Sequence, residues 1–289
     1  MRRRVRRVSP LEGRGVGIGW RPEIAGFVDS LPGLRFTEVV AEAVCADHLP
    51  PALVKLRERG VSVVPHGTRL SLGGAEPVDR DRVRRFAEVA AAVDAPLVSE
   101  HVAFVRAGGL EAGHLLPVPR TREALDALTR NIRTLSAELD APLALEPIAA
   151  LFDWPEDELT EARFLTELLD RTGAYLLLDV ANCYANARNR GQDPAEALAA
   201  LPLERVAYAH IAGGAPGGGF YHDTHTSATP PAVLELLAEL CLTHRPPALL
   251  LERDGAYPPA AELTAELTAI AAASDLPDIT RSGETVWAR

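Results

Sequence analysis

The sequence predicts an α/β barrel of the TIM or (β/α)8 type, and three observations lead to this prediction. Eight short apolar runs recur along the 289-residue chain, segments with helical spacing lie between several of them, and no break in composition divides the chain. Apolar runs of this kind are typical of strands that are buried on both faces of a parallel sheet. Because α/β barrels of this length commonly form one unit, we predict a single domain over residues 1–289.

The predicted strands follow one another with room for a helix between most of them. They lie at residues 15–20, 36–42, 61–67, 96–104, 142–148, 174–183, 205–213 and 247–255. Helices are predicted where Ala, Leu, Glu and Arg recur at helical spacing, which is the case at 79–93, 121–139, 158–172 and 229–243. This alternation favours a closed barrel over an open, doubly wound sheet.

The two ends of the chain lie outside this alternation. The segment MRRRVRRVSP contains five arginines, and neither an apolar segment nor a small-residue cleavage site follows it. We therefore predict that residues 1–12 form a solvated basic tail and not a secretory signal. Residues 274–289 are predicted to be a C-terminal extension.

Composition narrows the possible classes of function. A formal net charge of −10 argues against nucleic acid as the main ligand, and no apolar run reaches the ~18 residues that a membrane-spanning helix needs. The three cysteines, Cys45, Cys183 and Cys241, are odd in number and form no CxxC pair. Neither a disulfide framework nor a thiolate zinc site is indicated, and a cytoplasmic location is expected.

Ionisable and amide side chains recur where the predicted strands end. They are Glu38, Glu42, His66, Glu100, His101, Glu146, Asp179, Asn182, His210, Glu252 and Asp254. The C-terminal ends of barrel strands face one shared mouth, so these side chains are expected to converge. Several buried carboxylates without cations would cost several kcal/mol each. The pattern therefore predicts bound metal, and the His and carboxylate donors suit iron, manganese or zinc, with enough donors for two or more ions.

One glycine-rich stretch, AYAHIAGGAPGGGFYHDTHTS at 207–227, carries further candidate ligands. We predict a flexible loop that brings Asp223 and His225 over the mouth, as additional ligands or as a lid. Its glycines do not match the dinucleotide fingerprint, because no helix opens directly after them.

An ordered series of motifs then identifies a family. The motifs are GIGWRPE, FTEVVAE, PHGTRLSLGG, VSEHVAF, HLLPVPRT, LALEP, LLLDVANCYANARNRG, AHIAGG, DTHT and LLLERDG. In this order they resemble the multinuclear non-heme iron-dependent oxidases, a family that includes the methanobactin-biosynthesis oxidase.

The resemblance implies a xylose-isomerase-like TIM barrel that holds two or three irons and uses O2 to modify a residue, in particular cysteine, of a ribosomally synthesised precursor peptide. It also implies a small partner protein that presents the peptide. Carried over to this sequence, it makes Glu146, His101 and Asp179 the catalytic residues. The implied iron ligands are His66, His101 and Glu146 at one ion, Glu146, Asp179, His210 and Glu252 at a second, and Asp223 and His225 at a third.

Two positions depart from the family pattern. Pro147 stands where members usually have Asn, and Gly214 ends a motif that usually reads HIAGH. Both departures concern the third iron position, for which Asn182 offers a substitute ligand. Two alternatives remain open at this point: a divalent-metal barrel of the sugar-isomerase or abasic-endonuclease kind, and a non-catalytic metal-binding homologue.

Overall fold

The computed structural model describes residues 8–281, which contain a closed barrel of eight parallel strands. Together with two hairpins outside the barrel, residues 8–281 form twelve strands: β1 (Gly15–Gly19), β2 (Phe36–Val40), β3 (Ser62–Gly67), β4 (Val98–His101), β5 (Ala103–Ala107), β6 (Leu110–Pro117), β7 (Leu143–Glu146), β8 (Tyr175–Asp179), β9 (Val206–Ile211), β10 (Ala215–Gly217), β11 (Phe220–His222) and β12 (Ala248–Leu251). The barrel order is β1-β2-β3-β4-β7-β8-β9-β12, and β12 pairs with β1 to close the ring. Each barrel strand lies within one of the eight predicted runs, so the predicted barrel is confirmed.

Helices follow the barrel strands around the outside. They are α1 (Ala25–Ser30), α2 (Pro51–Glu58), α3 (Arg80–Ala92), α4 (Arg122–Ser136), α5 (Glu161–Thr172), α6 (Val180–Asn189), α7 (Pro194–Ala199), α8 (Pro231–Thr243) and α9 (Ala260–Ser274), with short 3-10 turns at Pro22–Ile24, Ala41–Ala43 and Leu203–Arg205. Side-chain caps fix several starts: Asp79 accepts hydrogen bonds from the first turn of α3, and Thr121 and Thr160 do so for α4 and α5. In residues 8–281, no helix combines the length and the apolar character needed to cross a membrane.

The barrel interior has two chemically different layers. Its lower layer is an apolar cluster that includes Phe36, Val64, Leu97, Ala144, Leu177, Ala207, Tyr208, Ala248 and Leu250. Side chains two residues apart on a strand point to the same face. The layer above therefore consists of the residues two positions further on, which are Glu38, His66, Ser99, Glu146, Asp179, His210 and Glu252. The pleat of each strand thus carries a polar residue to the mouth.

The bottom of the barrel is closed by the start of the described chain. Leu11 is fully buried in the lower apolar layer, and the Ser9 hydroxyl donates a 2.7 Å hydrogen bond to the Ala207 carbonyl. The prediction of a solvated tail is therefore wrong for Ser9 and Leu11, because the open end of the barrel needs an apolar cover. Residues 1–7 of that predicted tail lie outside the described residues.

Replacing this cover should destabilise the protein. We expect Leu11→Ala to lower the free energy of unfolding by about 2–5 kcal/mol, because the truncation leaves a cavity in a closed apolar layer. Urea denaturation measures the change, and Val8→Ala, at a side chain that is 75% exposed, is the control that should stay within about 0.5 kcal/mol. An unfolding curve of Leu11→Ala that overlays the parent would contradict the packing described here.

Three further features were not predicted from the sequence. The run at 96–104 is two strands, because the chain turns at Val102 from β4 into the antiparallel hairpin β5–β6. The glycine-rich stretch forms a second hairpin, β10–β11, with Gly218 and Gly219 at positive φ in its turn. The predicted C-terminal extension begins with the last residue of α9 and then packs, since Ile279 is buried and its carbonyl accepts a hydrogen bond from the Gly33 amide. Its residues 282–289 lie outside the described part of the chain.

Candidate metal centre

Three groups of potential ligands share the mouth of the barrel. They are His66, His101 and Glu146; Glu146, Asp179, His210 and Glu252; and Asp179, Asp223 and His225. Within each group the ligand atoms all lie within 4.8 Å of one another. The barrel therefore brings together eight of the nine predicted metal ligands, and the ninth, Asn182, lies beside Glu146.

The first group is built from neighbouring strands β3, β4 and β7. The Nε2 atoms of His66 and His101 lie 3.4 and 3.3 Å from the same oxygen, Glu146 Oε2. His101 Nδ1 is 3.0 Å from the Gly67 carbonyl oxygen, which can only accept a hydrogen bond. His101 therefore carries its proton on Nδ1 when neutral and turns the lone pair of Nε2 toward Glu146.

The second group uses the other oxygen of the same glutamate. His210 Nδ1 lies 3.5 Å from Glu146 Oε1 and 2.8 Å from Glu252 Oε2. Asp179 completes this group from the end of β8, and its Oδ1 accepts a hydrogen bond from the backbone N–H of Asn182 at the start of α6. Glu146 therefore presents one oxygen to each group, which is the arrangement of a bridging carboxylate.

The third group depends on the segment that follows hairpin β10–β11. His225 adopts a positive φ of 52°, and its Nε2 lies 2.5 Å from Asp223 Oδ2 and 3.6 Å from Asp179 Oδ2. On its other side, His225 Nδ1 is 3.2 Å from Glu252 and 3.3 Å from Asp254. The glycine-rich stretch thus brings Asp223 and His225 to the mouth, as predicted, although a hairpin replaces the flexible loop.

The hairpin explains one of the two departures from the family pattern, Gly214. A Cβ atom at Gly214 would lie 2.4 Å from the His222 carbonyl oxygen, so a larger residue there would require the hairpin to shift. The carbonyl of Pro147 accepts a 3.3 Å hydrogen bond from Asn182 Nδ2. Asn182 Oδ1 is buried and has no hydrogen-bond partner among the described residues, so this amide oxygen is available as a ligand.

Unpaired polar atoms indicate that these residues fit bound cations. Within residues 8–281, no hydrogen-bond partner is found for six buried atoms of the grouped ligands: Glu146 Oε2, Asp179 Oδ2, His210 Nδ1, Asp223 Oδ1, His225 Nε2 and Glu252 Oε2. His210 Nδ1 and Glu252 Oε2 approach to 2.8 Å without the geometry of a hydrogen bond. Leaving a buried polar atom unpaired costs about 1–3 kcal/mol. Ions shared between these atoms would remove that cost.

The buried His and carboxylate side chains of the mouth shift one another's pKa values. Burial lowers the pKa of His101, but Glu146 and Glu100 outweigh it and raise the pKa to about 9. Burial and the charge of Asp223 raise the pKa of Asp179 well above its ordinary value. Burial also acts to raise the pKa of Glu252, yet His210 and His225 hold it well below the ordinary value. Metal binding at this mouth therefore competes with protons that the His and Asp side chains hold.

Other residues of the mouth had no predicted ligand role. Glu38 lies within ligand distance of His66 and Glu252, and Asp254 lies within that distance of His225 and Glu252. Arg21 neutralises part of this charge through a 2.6 Å ion pair with Asp254. Their position at strand ends predicts that Glu38 and Asp254 lie at the mouth, but it does not predict which residues each of them contacts.

Fold and site together define a TIM-barrel protein with a candidate multinuclear metal site. A family model described as "RiPP precursor modification enzyme MbnB/TglH/ChrH" matches residues 15–275. The chain belongs to this family of enzymes, which modify precursors of ribosomally synthesised peptides, and the resemblance seen in the sequence is confirmed. Membership implies a precursor peptide as substrate.

Curated relatives of the chain are named UPF0276 proteins. The chain is 54% identical over 271 residues to a UPF0276 protein of Streptomyces avermitilis, a match that covers 91% of this chain and 56% of that protein. It is 37% identical over 263 residues to a UPF0276 protein of Caulobacter vibrioides, covering 90% and 93% of the two chains. The chain thus spans little more than half of the Streptomyces relative and nearly all of the Caulobacter relative.

Solved structures support the fold alone. A xylose isomerase domain protein from Planctomyces limnophilus superposes with a TM-score of 0.60 at 15% identity, covering 91% of this chain and 97% of that chain. Endonuclease IV from Thermus thermophilus gives a TM-score of 0.58 at 20% identity, covering 90% and 99%. The xylose-isomerase-like barrel is therefore confirmed, and these likenesses carry no conclusion about substrate.

Proposed function

We propose that this chain is an O2-dependent oxidase that holds at least two iron ions and modifies a cysteine of a ribosomally synthesised peptide. One observation carries the proposal: Glu146 offers one oxygen to each of two groups of His and carboxylate ligand atoms. Imidazole and carboxylate donors suit iron, and a bridging carboxylate suits a pair of ions. Family membership supports a peptide substrate.

Each ligand has a definite task in this proposal. His66 and His101 hold the first ion with Glu146, and Asp179, His210 and Glu252 hold the second. When bound, the iron ions would supply one-electron redox chemistry and the activation of O2. Turnover then depends above all on Glu146, His101 and Asp179. Glu146 joins the two groups, His101 is the more exposed histidine of the first group, and Asp179 joins the second group to the third.

The burial of the ligands indicates where the peptide enters. The side chains of His101 and His225 are 9% and 12% exposed, whereas those of His66, Glu146, Asp179, His210 and Glu252 are 0–6% exposed. The substrate cysteine would therefore approach between the start of hairpin β5–β6 and the segment after β10–β11. Burial of the remaining ligands would keep water away from the reacting groups below the bound cysteine.

Further parts of the proposal concern the third position and the setting of the reaction. Asp179, Asp223 and His225 could hold a third ion, with Asn182 as an additional ligand. A small partner protein would present the precursor peptide. The three cysteines are unpaired, which is consistent with work in the reducing cytoplasm.

Metal content and O2 uptake test this function together. Protein purified without air from iron-supplemented cells should contain at least two irons per chain, with a coupled pair visible by Mössbauer spectroscopy. A cysteine-containing precursor peptide should then start O2 consumption and change mass, while the same peptide with Cys→Ser should do neither. One zinc or manganese per chain, with activity on free sugars and no need for O2, would favour the isomerase alternative. Iron binding without O2 uptake would favour a non-catalytic homologue.

A further inference from the structure

A continuous series of hydrogen bonds lies beneath the candidate metal centre. His66 Nδ1 is 2.9 Å from Ser99 Oγ, and Ser99 Oγ is 2.8 Å from the Tyr208 hydroxyl. The Tyr208 hydroxyl is 2.5 Å from Glu38 Oε2, and the same oxygen is 3.0 Å from His210 Nε2. The series therefore joins a histidine of the first ligand group to a histidine of the second.

The chemistry of the end group fixes the direction of every proton in this series. A carboxylate can only accept, so both Tyr208 and His210 Nε2 donate to Glu38. Since Tyr208 uses its one proton on Glu38, its oxygen must accept from Ser99. Ser99 has then used its own proton, so its oxygen must accept from His66 Nδ1.

The two histidines are consequently left with one defined nitrogen each for a metal. His66, protonated on Nδ1, presents the lone pair of Nε2 to Glu146 Oε2 at 3.4 Å. His210, protonated on Nε2, presents the lone pair of Nδ1 to Glu252 Oε2 at 2.8 Å. These are the nitrogens that face the two ligand groups.

We infer that Glu38 is a positioning residue for both metal sites: it fixes the tautomer and ring orientation of His210 directly and those of His66 through Tyr208 and Ser99. This inference rests on the proposed function insofar as that function requires two ions. Partners that hold the second nitrogen of a histidine ligand are known to set its tautomer and to change metal affinity by about 10–100-fold when removed.

Packing keeps the series in one arrangement. Glu38, Ser99, Tyr208 and His210 are each at most 1% exposed. The Tyr208 ring lies edge-on to Phe36 and His210, with centroid separations of 6.3 and 5.4 Å.

The direction of the protons predicts a different result for each variant. Ser99→Ala removes the acceptor of His66 alone, and it should weaken the first-group ion by about 10–100-fold while the second-group ion keeps its affinity. Glu38→Leu removes the common acceptor and should weaken both ions. Ser274→Ala, at an equally buried serine that bonds only to the backbone of α9, is the matched control and should change neither affinity more than about twofold.

Cobalt(II) titration of the metal-free protein measures both affinities, and the visible spectrum of the cobalt protein reports the geometry at each site. His101→Ala, which disables the first group, supplies the spectrum of the second site alone. The selective loss in Ser99→Ala and the double loss in Glu38→Leu would support the inference, because a general loss of stability would not choose between the two ions.

Three outcomes would overturn it. Ser99→Ala with both affinities unchanged would show that the series does not position His66, even if Glu38→Leu loses metal as a direct ligand would. Equal weakening of both ions in Ser99→Ala would contradict the proton directions. If the parent and all variants bind two ions with the same affinities, this inference is refuted and the proposed function is not. If the parent binds no second ion, both the inference and the proposed function are refuted.

Discussion

Glu146→Gln is expected to leave the chain unable to retain a pair of metal ions. The carboxylate provides an oxygen to both ligand groups, and its Oε2 is buried without a hydrogen-bond partner among the described residues. A neutral amide keeps the volume of the side chain but removes the negative charge and one of the two acceptor oxygens. Removing a residue that only hydrogen-bonds to a metal ligand already lowers metal affinity by about 10–100-fold. Loss of the shared ligand itself should therefore lower it by at least about 100-fold.

Elemental analysis after dialysis gives the metal content of parent and variant. We expect the parent to keep two or more ions and Glu146→Gln to keep at most one. Glu161→Gln is the matched control, since this carboxylate is also desolvated, with a raised pKa, but belongs to none of the ligand groups. Full metal content in Glu146→Gln would refute the role of Glu146 as a ligand shared by two ions, on which the proposed function depends.

The barrel and most of the site could be predicted from the sequence because two simple periodicities generate them. Parallel strands end at one mouth, and the two-residue repeat of a strand places Glu146 above Ala144 and His210 above Tyr208. A reader of the sequence needs only the strand boundaries to know that these side chains converge.

Features that depend on partners far apart in the chain could not be predicted in this way. Glu38 and Tyr208 are separated by 170 positions, and no local pattern states that the hydroxyl of one meets the carboxylate of the other. Leu11 follows a run of arginines that predicts a solvated tail, and only the apolar ring at the bottom of the barrel explains why it is buried. Local composition indicates which conformations and environments suit a segment, whereas these long-range contacts depend on closure of the barrel.

The conformation of the glycine-rich stretch could not be predicted from its composition either. Glycine content predicts freedom of the backbone, but it does not distinguish a mobile loop from a tight hairpin. Here the Gly218–Gly219 turn joins β10 to β11. The Asn189 side chain donates from Nδ2 to the Tyr221 carbonyl and accepts at Oδ1 from the Tyr221 backbone N–H. Asp223 and His225 are therefore held at the mouth by α6 as well as by their own hairpin.

Removing the metal should lower the thermal stability of the protein strongly. Without ions, the mouth confines Glu38, Glu146, Asp179 and Glu252 in a buried layer, and several of their oxygens have no hydrogen-bond partner among residues 8–281. An ion that binds only the folded chain stabilises it by about 4 kcal/mol when its free concentration is about 1,000 times Kd. Two such sites would contribute about 8 kcal/mol. For a chain of this size, that corresponds to a rise in Tm of about 10–15 °C.

Calorimetry of chelator-treated protein, before and after anaerobic addition of ferrous iron, measures this shift. Glu146→Gln should show a much smaller rise, because it lacks the shared ligand, while Glu161→Gln should rise like the parent. The comparison distinguishes two possible roles of the buried charged side chains. If they are ligands, stability follows the metal; if they are only a self-sufficient network of His and carboxylate pairs, the parent melts at the same temperature with and without iron, and the metal centre is refuted.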